Sequence, residues 1–266
     1  MDYLENIKKF DIVDKSGQRV PFEVNKFQRK FLEDMQGKDI ILKCRQIGFT
    51  SLILAMFTID FLTKENSRSV CISHNSQSAQ KLLDRVKFYI KSLEEKGLVV
   101  DLKYNSRSEL VNASQNSSFY IGQSGSKAFG RGDTLTNLHL SEFAFYPDPE
   151  NLLSSVLQAV VPDGRVVMET TANGVNYFKS FWDKSKAKQT TFTTHFYGND
   201  FYSEEFLAEK KLELSEDKFK QEYPSNDLEC FLNSGSLFFP RDALIEYLSR
   251  IKEPQESFET YYDLQI

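Results

Sequence analysis

The sequence contains few cysteines, no long apolar run and no excess of positive charge, and each absence narrows the possible functions. Its three cysteines, Cys44, Cys71 and Cys230, are odd in number and lie within or beside apolar runs. This predicts reduced thiols in a reducing compartment and argues against a disulfide framework. The formal net charge of -5 excludes a generally basic nucleic-acid coat, although it leaves room for a local basic face.

Signals for secretion or membrane insertion are also missing. The first residues, Met1 to Glu5, contain no cationic stretch followed by an apolar one, so we expect no signal peptide. The longest apolar segment, Leu52 to Leu62, is interrupted by Thr58 and Asp60 and is too short to span a bilayer. We therefore expect a soluble cytosolic protein of one large domain, or of one domain with a small appendage.

The stretch from Asp39 to Ser51 carries the first positive signal. An apolar run, Ile40 to Leu42, leads through a short loop into a long apolar segment, which predicts a strand, a tight turn and a helix. Such a loop aims backbone N–H groups and a helix N-terminus at one point, which is how phosphate oxygens are held. The usual G-x-x-x-x-G-K-[ST] pattern is matched only by Gly48 and Thr50. On spacing alone, an ordinary strand-to-helix turn explains the loop equally well.

A second signal precedes the loop. From Asn25, a plausible N-cap, the apolar residues recur with helical spacing, and the first turn carries Phe27-Gln28-Arg29. The Gln28 amide can donate and accept, so it can pair with an adenine edge. A solvated helix residue is the alternative.

Strand and helix patterns alternate through the rest of the chain, which predicts an α/β fold. A strand ending at Glu142 places a carboxylate where ligands bind in such sheets. The glycines around Arg131 expose a guanidinium that can reach a phosphoryl group, unless this segment is only a surface turn. We interpret His139 as a packed core histidine, because no second ligand stands at metal-binding spacing. The other predicted elements are the strands 68–73, 98–100, 109–111, 118–121, 165–170 and 190–196 and the helices 77–93, 149–159 and 176–186, with a charged helical segment from 203 to 222.

In order and spacing, these segments resemble the N-terminal ATPase domain of the large terminase subunit of tailed bacteriophages, the ATP-driven DNA packaging motor. The resemblance runs from about Asn25 to Asp242. It implies a P-loop NTPase of the ASCE type, with a mostly parallel sheet flanked by helices and a small helical lid subdomain. It also implies three regions: an N-terminal arm (1–24), the ATPase core (25–200), and the lid with the start of a linker (201–266).

The resemblance implies ATP and Mg²⁺ as ligands and assigns roles to individual residues. Glu142 would orient the attacking water, and Arg131 would act as an arginine finger. Thr50 would offer its hydroxyl to the metal, and Ser141 would hold a metal-bound water. The ATP-binding set is Phe27, Gln28, Lys43, Arg45, Gln46, Gly48, Phe49, Thr50 and Ser51, and the segment that couples hydrolysis to movement contains Thr170, Thr171, Asn173 and Gly174.

Two positions depart from the family pattern. Phe49 stands where the loop lysine is usual, so another cation must meet the phosphate charge. Lys43 is the first candidate, because some members place their lysine at the start of the loop, and Arg45 is the second. Ser141 stands where the family usually has the aspartate that holds Mg²⁺, which predicts weaker metal binding.

The partners implied are double-stranded viral DNA, the portal protein of the procapsid and the small terminase subunit. The resemblance also implies a homo-oligomeric ring on the capsid, a monomer in isolation and a location in the host cytoplasm. The family's nuclease domain does not follow within this sequence, so we expect no nuclease activity of it. A helicase-like nucleic-acid-dependent ATPase and a non-hydrolysing docking module with a degenerate nucleotide site are the alternatives.

Overall fold

The computed structural model describes residues 2–125, 134–231, 246, 247, 249 and 250. The chain divides into two compact units, Met1–Ser234 and Gly235–Ile266. In the second unit the described residues are helical, and Arg250 pairs with Glu246. All that follows concerns the first unit.

The elements of this unit alternate between helices and strands along most of its length. The helices are α1 (Tyr3–Ile7), α2 (Lys26–Asp34), α3 (Phe49–Thr63), α4 (Ser76–Glu94), α5 (Pro149–Leu157), α6 (Tyr177–Lys186), α7 (Glu204–Glu213) and α8 (Glu216–Glu222). The strands are β1 (Asp11–Val13), β2 (Arg19–Pro21), β3 (Lys38–Lys43), β4 (Arg68–Ser73), β5 (Leu102–Asn105), β6 (Glu109–Asn112), β7 (Ser117–Gln123), β8 (Leu135–Ser141), β9 (Val160–Thr170) and β10 (Thr193–Tyr197).

Eight of these strands form one sheet in the order β10-β3-β9-β8-β4-β7-β6-β5. Neighbouring strands in the part β10-β3-β9-β8-β4-β7 are all parallel. At the other edge, β6 pairs antiparallel with both β7 and β5. Strand β9 therefore lies between β3, which leads into the loop, and β8, which ends before Glu142. Because these three strands are parallel, their carboxyl ends meet at one edge of the sheet, which is where open α/β sheets bind ligands.

Helices cover both faces of the sheet. Alternate residues of β3 point to opposite sides, so Ile41 packs with α3 and α4 while Ile40 and Leu42 pack with α5 and α6. Helix α3 is apolar on all sides and almost fully buried, as expected for a helix enclosed by other elements. The structure confirms the predicted fold class of helices around a mainly parallel sheet.

Most predicted elements are confirmed, but one predicted strand is wrong. Residues 98–100 form no strand, and Val99 is 91% exposed. Pairing begins further on, where β5 lies beside β6. The first residues pack onto the core, since Tyr3 is buried and donates a hydrogen bond from its hydroxyl to Asp60 Oδ1. All three cysteines are free and buried.

Within the described part of the chain, every helix is either too short or too polar to cross a membrane.

Candidate functional site

The loop between β3 and α3 is held by hydrogen bonds to its backbone from several directions. The Asn25 side chain donates to Ile47 O over 3.0 Å, and the Gln28 side chain donates to Gly48 O over 2.7 Å. On the other side, Cys44 N donates to Tyr197 O, so that β10 supports the start of the loop. Gly48 adopts a left-handed φ of 84°, and no described side chain caps the N-terminus of α3 that follows it. The first N–H groups of α3 are therefore available to an anion.

Gln28 and Phe27 lie near this loop, and their side chains are already engaged. The Gln28 amide accepts from Asn25 N while it donates to Gly48 O, and its side chain is buried. Phe27 packs against the rings of Tyr197 and Phe201. In this conformation Gln28 shapes the loop and presents no free edge to a base.

Phe49, which stands in the usual lysine position, turns into the core. Its ring stacks on Tyr197 at a centroid distance of 4.6 Å and meets Phe31 edge-on at 5.8 Å. The side chain is fully buried and anchors the first turn of α3. Any cation for a phosphate must therefore come from another residue.

Lys43 ends β3 directly below the loop and lies between two carboxylates. Its Nζ is 3.3 Å from Glu142 Oε1 and 3.1 Å from Glu169 Oε2. Burial opposes its charge, but the two carboxylates outweigh burial and raise the pKa of Lys43 above its usual value. Lys43 therefore carries a positive charge inside the protein.

Glu169 is a buried carboxylate that the sequence analysis did not select. It is completely inaccessible to solvent and accepts hydrogen bonds at Oε1 from Thr50 Oγ1 and Ser141 Oγ, each over 2.8 Å. The ring of His139, also fully buried as predicted, has Nε2 3.4 Å from the same oxygen. Burial would raise the pKa of Glu169, but Lys43 and these neighbours hold it well below its usual range. The available signal was a single carboxylate inside the apolar run 166–170.

Glu142 follows β8 in a left-handed conformation with a φ of 55°. This conformation costs a non-glycine residue roughly 1 to 2 kcal/mol, and such strain is concentrated at functional sites. Its Oε2 accepts a hydrogen bond from Thr171 N over 3.4 Å, while Oε1 faces Lys43. A cavity of about 320 Å³ opens here, and its lining includes Glu142, Thr171, Arg45 and His74.

The segment after β9 connects Glu142 to the C-terminal helices of this unit. Thr170 Oγ1 accepts a hydrogen bond from Ala144 N, and the Asn173 side chain donates to Ala144 O. Gly174 turns the chain with a φ of 66°. Gln221 of α8 donates from its side chain to Ala172 O over 2.7 Å. This short segment therefore contacts both the residues that follow Glu142 and helix α8.

The outer side of the loop faces α8 and the segment before α7. Arg45 Nη1 lies 3.3 Å from Glu222 Oε2, and Arg45 N donates to Glu222 O. The Tyr202 hydroxyl donates to Arg45 O. Gln46 is exposed with a φ of 57°, and Ser51 Oγ accepts a hydrogen bond from Arg85. The two candidate cations thus occupy different places, with Lys43 below the loop and Arg45 exposed beside α8.

Arg131 lies outside the described residues. Within the described ranges, no three His, Cys, Asp or Glu side chains cluster as a metal cage would require.

The chain is similar to known proteins in sequence and in fold. The family model "Terminase large subunit, T4likevirus-type, N-terminal" matches residues 40–244. The ATPase domain of the Thermus phage P74-26 large terminase superposes with a TM-score of 0.62 at 18% identity, over 76% of this chain and 93% of that one. The HK97 bacteriophage large terminase gives 0.64 at 18% identity, over 86% and 55%.

Another large terminase, from a thermophilic bacteriophage and in complex with ADP, gives a TM-score of 0.57 at 15% identity, over 76% of this chain and 52% of that one. The chain thus spans about half the length of the HK97 protein and of this ADP-bound terminase. Its fold is that of terminase ATPase domains. With the family model covering most of its length, the chain belongs to the family of T4-type large terminase subunits, of which it contains the N-terminal domain.

Proposed function

We propose that this chain is the ATPase part of a phage packaging motor, which hydrolyses ATP to move double-stranded DNA into a procapsid. One observation carries the proposal: the loop after Lys43, the carboxylate of Glu142 and the segment 170–174 meet at the same edge of the sheet. Membership of the terminase family supports it. So do the structures of the large terminase from a thermophilic bacteriophage in complex with ADP and with ATP-gamma-S.

In this proposal the phosphates of ATP lie over Gly48 to Ser51, at the uncapped N-terminus of α3. Lys43 is our first candidate for the cation that meets their charge, with Arg45 as the second. Phe27 and Gln28 remain the candidates for the base, and the Gln28 amide would have to exchange its bond to Gly48 O for one to adenine.

The residues around the loop also fit a magnesium ion. Mg²⁺ prefers oxygen ligands and is commonly held by one or two side chains together with phosphate oxygens and waters. The hydroxyls of Thr50 and Ser141 both point to Glu169 Oε1, so they lie within a few ångströms of one another. Thr50 would bind the ion directly and Ser141 through water, and the ion would neutralise phosphate charge.

Glu142 is the residue that we propose to orient the attacking water. In the structure its Oε1 lies 3.3 Å from Lys43 Nζ. A phosphate group that attracts Lys43 would release this oxygen for a water molecule. Nucleotide binding and the freeing of Glu142 would then be linked through one lysine.

The coupling of hydrolysis to movement would use the hydrogen bonds that follow β9. Thr171 N binds Glu142, and Ala172 O, one residue further along the same segment, binds Gln221 of α8. The α8 helix also carries Glu222, the ion-pair partner of Arg45. A change at the γ-phosphate would therefore reach the lid from both sides of the loop.

We propose that copies of this chain form a ring on the capsid. The other proposed partners are the portal protein, the small terminase subunit and double-stranded viral DNA. Arg131 would reach the transferring phosphoryl group from a neighbouring subunit, and such fingers contribute on the order of 10³ to 10⁵ in rate. Turnover per protomer should then rise with protein concentration, and Arg131→Ala should abolish the rise. Turnover that is independent of concentration and unaffected by Arg131→Ala would contradict a finger supplied by the neighbour.

The test of the ATPase assignment is Glu142→Gln, which removes the charge and preserves the size of the side chain. We expect ATP binding to persist and phosphate release to fall by at least about 100-fold, the contribution of a well-placed general base. Glu150→Gln, an exposed carboxylate at the start of α5, is the control and should keep full turnover. Full turnover by Glu142→Gln would contradict the assignment, and ATP-dependent strand separation would favour a helicase-like enzyme over a packaging motor.

A further inference from the structure

The metal site of the proposed ATPase has an apparent defect, since Ser141 carries no charge. The structure places a carboxylate beside it. Ser141 on β8 and Glu169 on β9 are register partners in neighbouring parallel strands, and the Ser141 hydroxyl donates to Glu169 Oε1 over 2.8 Å. The negative charge missing from β8 is thus present one strand away.

The same carboxylate contacts the phosphate loop. Thr50, in the first turn of α3, donates its hydroxyl to Glu169 Oε1 over 2.8 Å. On the other side of β9, the register partner of Glu169 is Ile41 of β3, two residues before Lys43. Glu169 therefore lies between the strand that enters the loop and the strand that ends before Glu142.

The charges around Glu169 leave a place for a divalent cation. The ammonium of Lys43 faces the two carboxylates of Glu142 and Glu169, so this group of three carries a net negative charge. Although Lys43 Nζ is 3.1 Å from Glu169 Oε2, no described donor makes a well-directed hydrogen bond to that buried oxygen. This oxygen belongs to the carboxylate whose Oε1 accepts from the Thr50 hydroxyl, and a carboxylate near a loop hydroxyl matches the ligand preference of Mg²⁺.

We propose that Glu169 supplies the carboxylate that Ser141 lacks, and that it holds the nucleotide-bound Mg²⁺ together with Thr50. This assignment rests on the nucleotide site proposed above and adds a residue to it. The carboxylate has moved from β8 to the adjacent strand, while the loop hydroxyl has kept its position. Lys43 balances the charge of Glu169 when no metal is bound.

The test compares the affinity for a non-hydrolysable ATP analogue in Mg²⁺ and in EDTA, measured by titration calorimetry. Wild type should bind more tightly in Mg²⁺. In Glu169→Gln the amide oxygen can still accept from Thr50 and Ser141, while the negative charge that faces Lys43 is lost. We expect the ratio of the two affinities to fall by about 10 to 100-fold, as for changes to groups that hold a metal.

Two further variants separate a metal role from a structural one. The double variant Ser141→Asp/Glu169→Gln returns the charge to β8 and should recover the Mg²⁺ enhancement. Asp60→Asn removes another buried carboxylate, which is held by Tyr3 and Arg165, and should leave the ratio unchanged. An equal loss of affinity in Mg²⁺ and EDTA, or an unchanged ratio in Glu169→Gln, would show that Glu169 is only the counter-ion of Lys43.

A measurement on wild type covers the case in which Glu169→Gln does not fold. Fe²⁺ in place of Mg²⁺, with the ATP analogue and peroxide, cleaves backbone close to the bound ion, and mass spectrometry locates the cuts. We expect cuts near residue 169 as well as near residue 50. Cuts near neither residue 141 nor residue 169, which are register partners on neighbouring strands, would overturn the assignment. If wild type binds the nucleotide in neither buffer, the ATPase proposal fails and this assignment fails with it.

Discussion

The ion pair between Lys43 and Glu169 should make the stability of this protein depend on both partners together. Lys43→Met replaces the buried ammonium by an apolar chain of similar length. It leaves Glu169, which is fully buried, without its charge partner. Glu142 is less affected, because about a third of its side chain is exposed and water can solvate it.

Lys43→Met should lower the free energy of unfolding by a large amount. Removing one partner of a buried ion pair typically costs about 3 to 5 kcal/mol, because an uncompensated charge remains inside the protein. For a chain of this size the loss corresponds to a fall in Tm of roughly 6 to 20 °C. Adding Glu169→Gln to Lys43→Met should recover much of this loss, since the buried charge is then absent.

The loss of stability in Lys43→Met should also depend on pH. In wild type the pKa of Glu169 is held low, so its ion pair stabilises the fold above the ordinary carboxyl pKa of about 4.3. In Lys43→Met, burial raises the pKa of Glu169, and protonation then removes the uncompensated charge. The difference in free energy of unfolding between the two proteins should therefore narrow as the pH falls from about 7 to about 4.

Urea unfolding followed by circular dichroism measures these differences for wild type, the two single variants and the double variant. A stability difference between wild type and Lys43→Met that stays constant with pH would refute the role of this ion pair. So would losses in free energy of unfolding for the two single variants that simply add in the double variant.

Three further predictions concern the loop and its supports. Gly48→Ala should abolish ATP-analogue binding and should lower the free energy of unfolding by roughly 1 to 2 kcal/mol. The φ of Gly48 is 84°, and a Cβ there would lie 2.8 Å from Gln28 Nε2. Binding at wild-type affinity in calorimetry would contradict this prediction. Asn25→Ala removes both the N-cap of α2 and the donor to Ile47 O. It should lower the free energy of unfolding in urea by about 1 kcal/mol and weaken binding of the ATP analogue. An unchanged urea midpoint would argue against the capping role. Burial raises the pKa of the Cys44 thiol to about 12, so iodoacetamide at pH 8 should alkylate it far more slowly in the native protein than in denaturant, as mass spectrometry can measure.

The sequence predicts elements with a strong local pattern well. The apolar run of β4 and the helical spacing of α4 locate both elements to within one residue at each end, because β4 is buried on both faces and α4 buries one apolar face. The predicted strand at 98–100 failed because an apolar run alone does not provide a pairing partner, and Val99 stays in solvent. The hydrogen bond from Tyr3 to Asp60 joins residues far apart in the sequence, so no local pattern could predict it.

The residues of the candidate site also divide into those that a local sequence pattern predicts and those that depend on residues far away in the sequence. Gly48 and Glu142 follow from local pattern, because a loop between strand and helix and a carboxylate after a buried strand are visible in one dimension. Glu169 was missed because its role depends on register: it is 28 residues from Ser141 in sequence, yet their hydroxyl and carboxylate are hydrogen-bonded across two strands. The burial of Phe49 against Tyr197 also depends on distant residues, and it removes the ring from the site.

We propose a working nucleotide site in which Lys43, at the start of the loop, takes the place of the usual loop lysine. Its most direct test is calorimetric titration of a non-hydrolysable ATP analogue with Mg²⁺ into wild type and Lys43→Ala, with Arg45→Ala as the matched control for a loop cation. We predict binding by wild type, loss of binding in Lys43→Ala at a temperature where circular dichroism shows it folded, and a smaller effect in Arg45→Ala. Undiminished binding by folded Lys43→Ala, or no binding by wild type, would contradict the account.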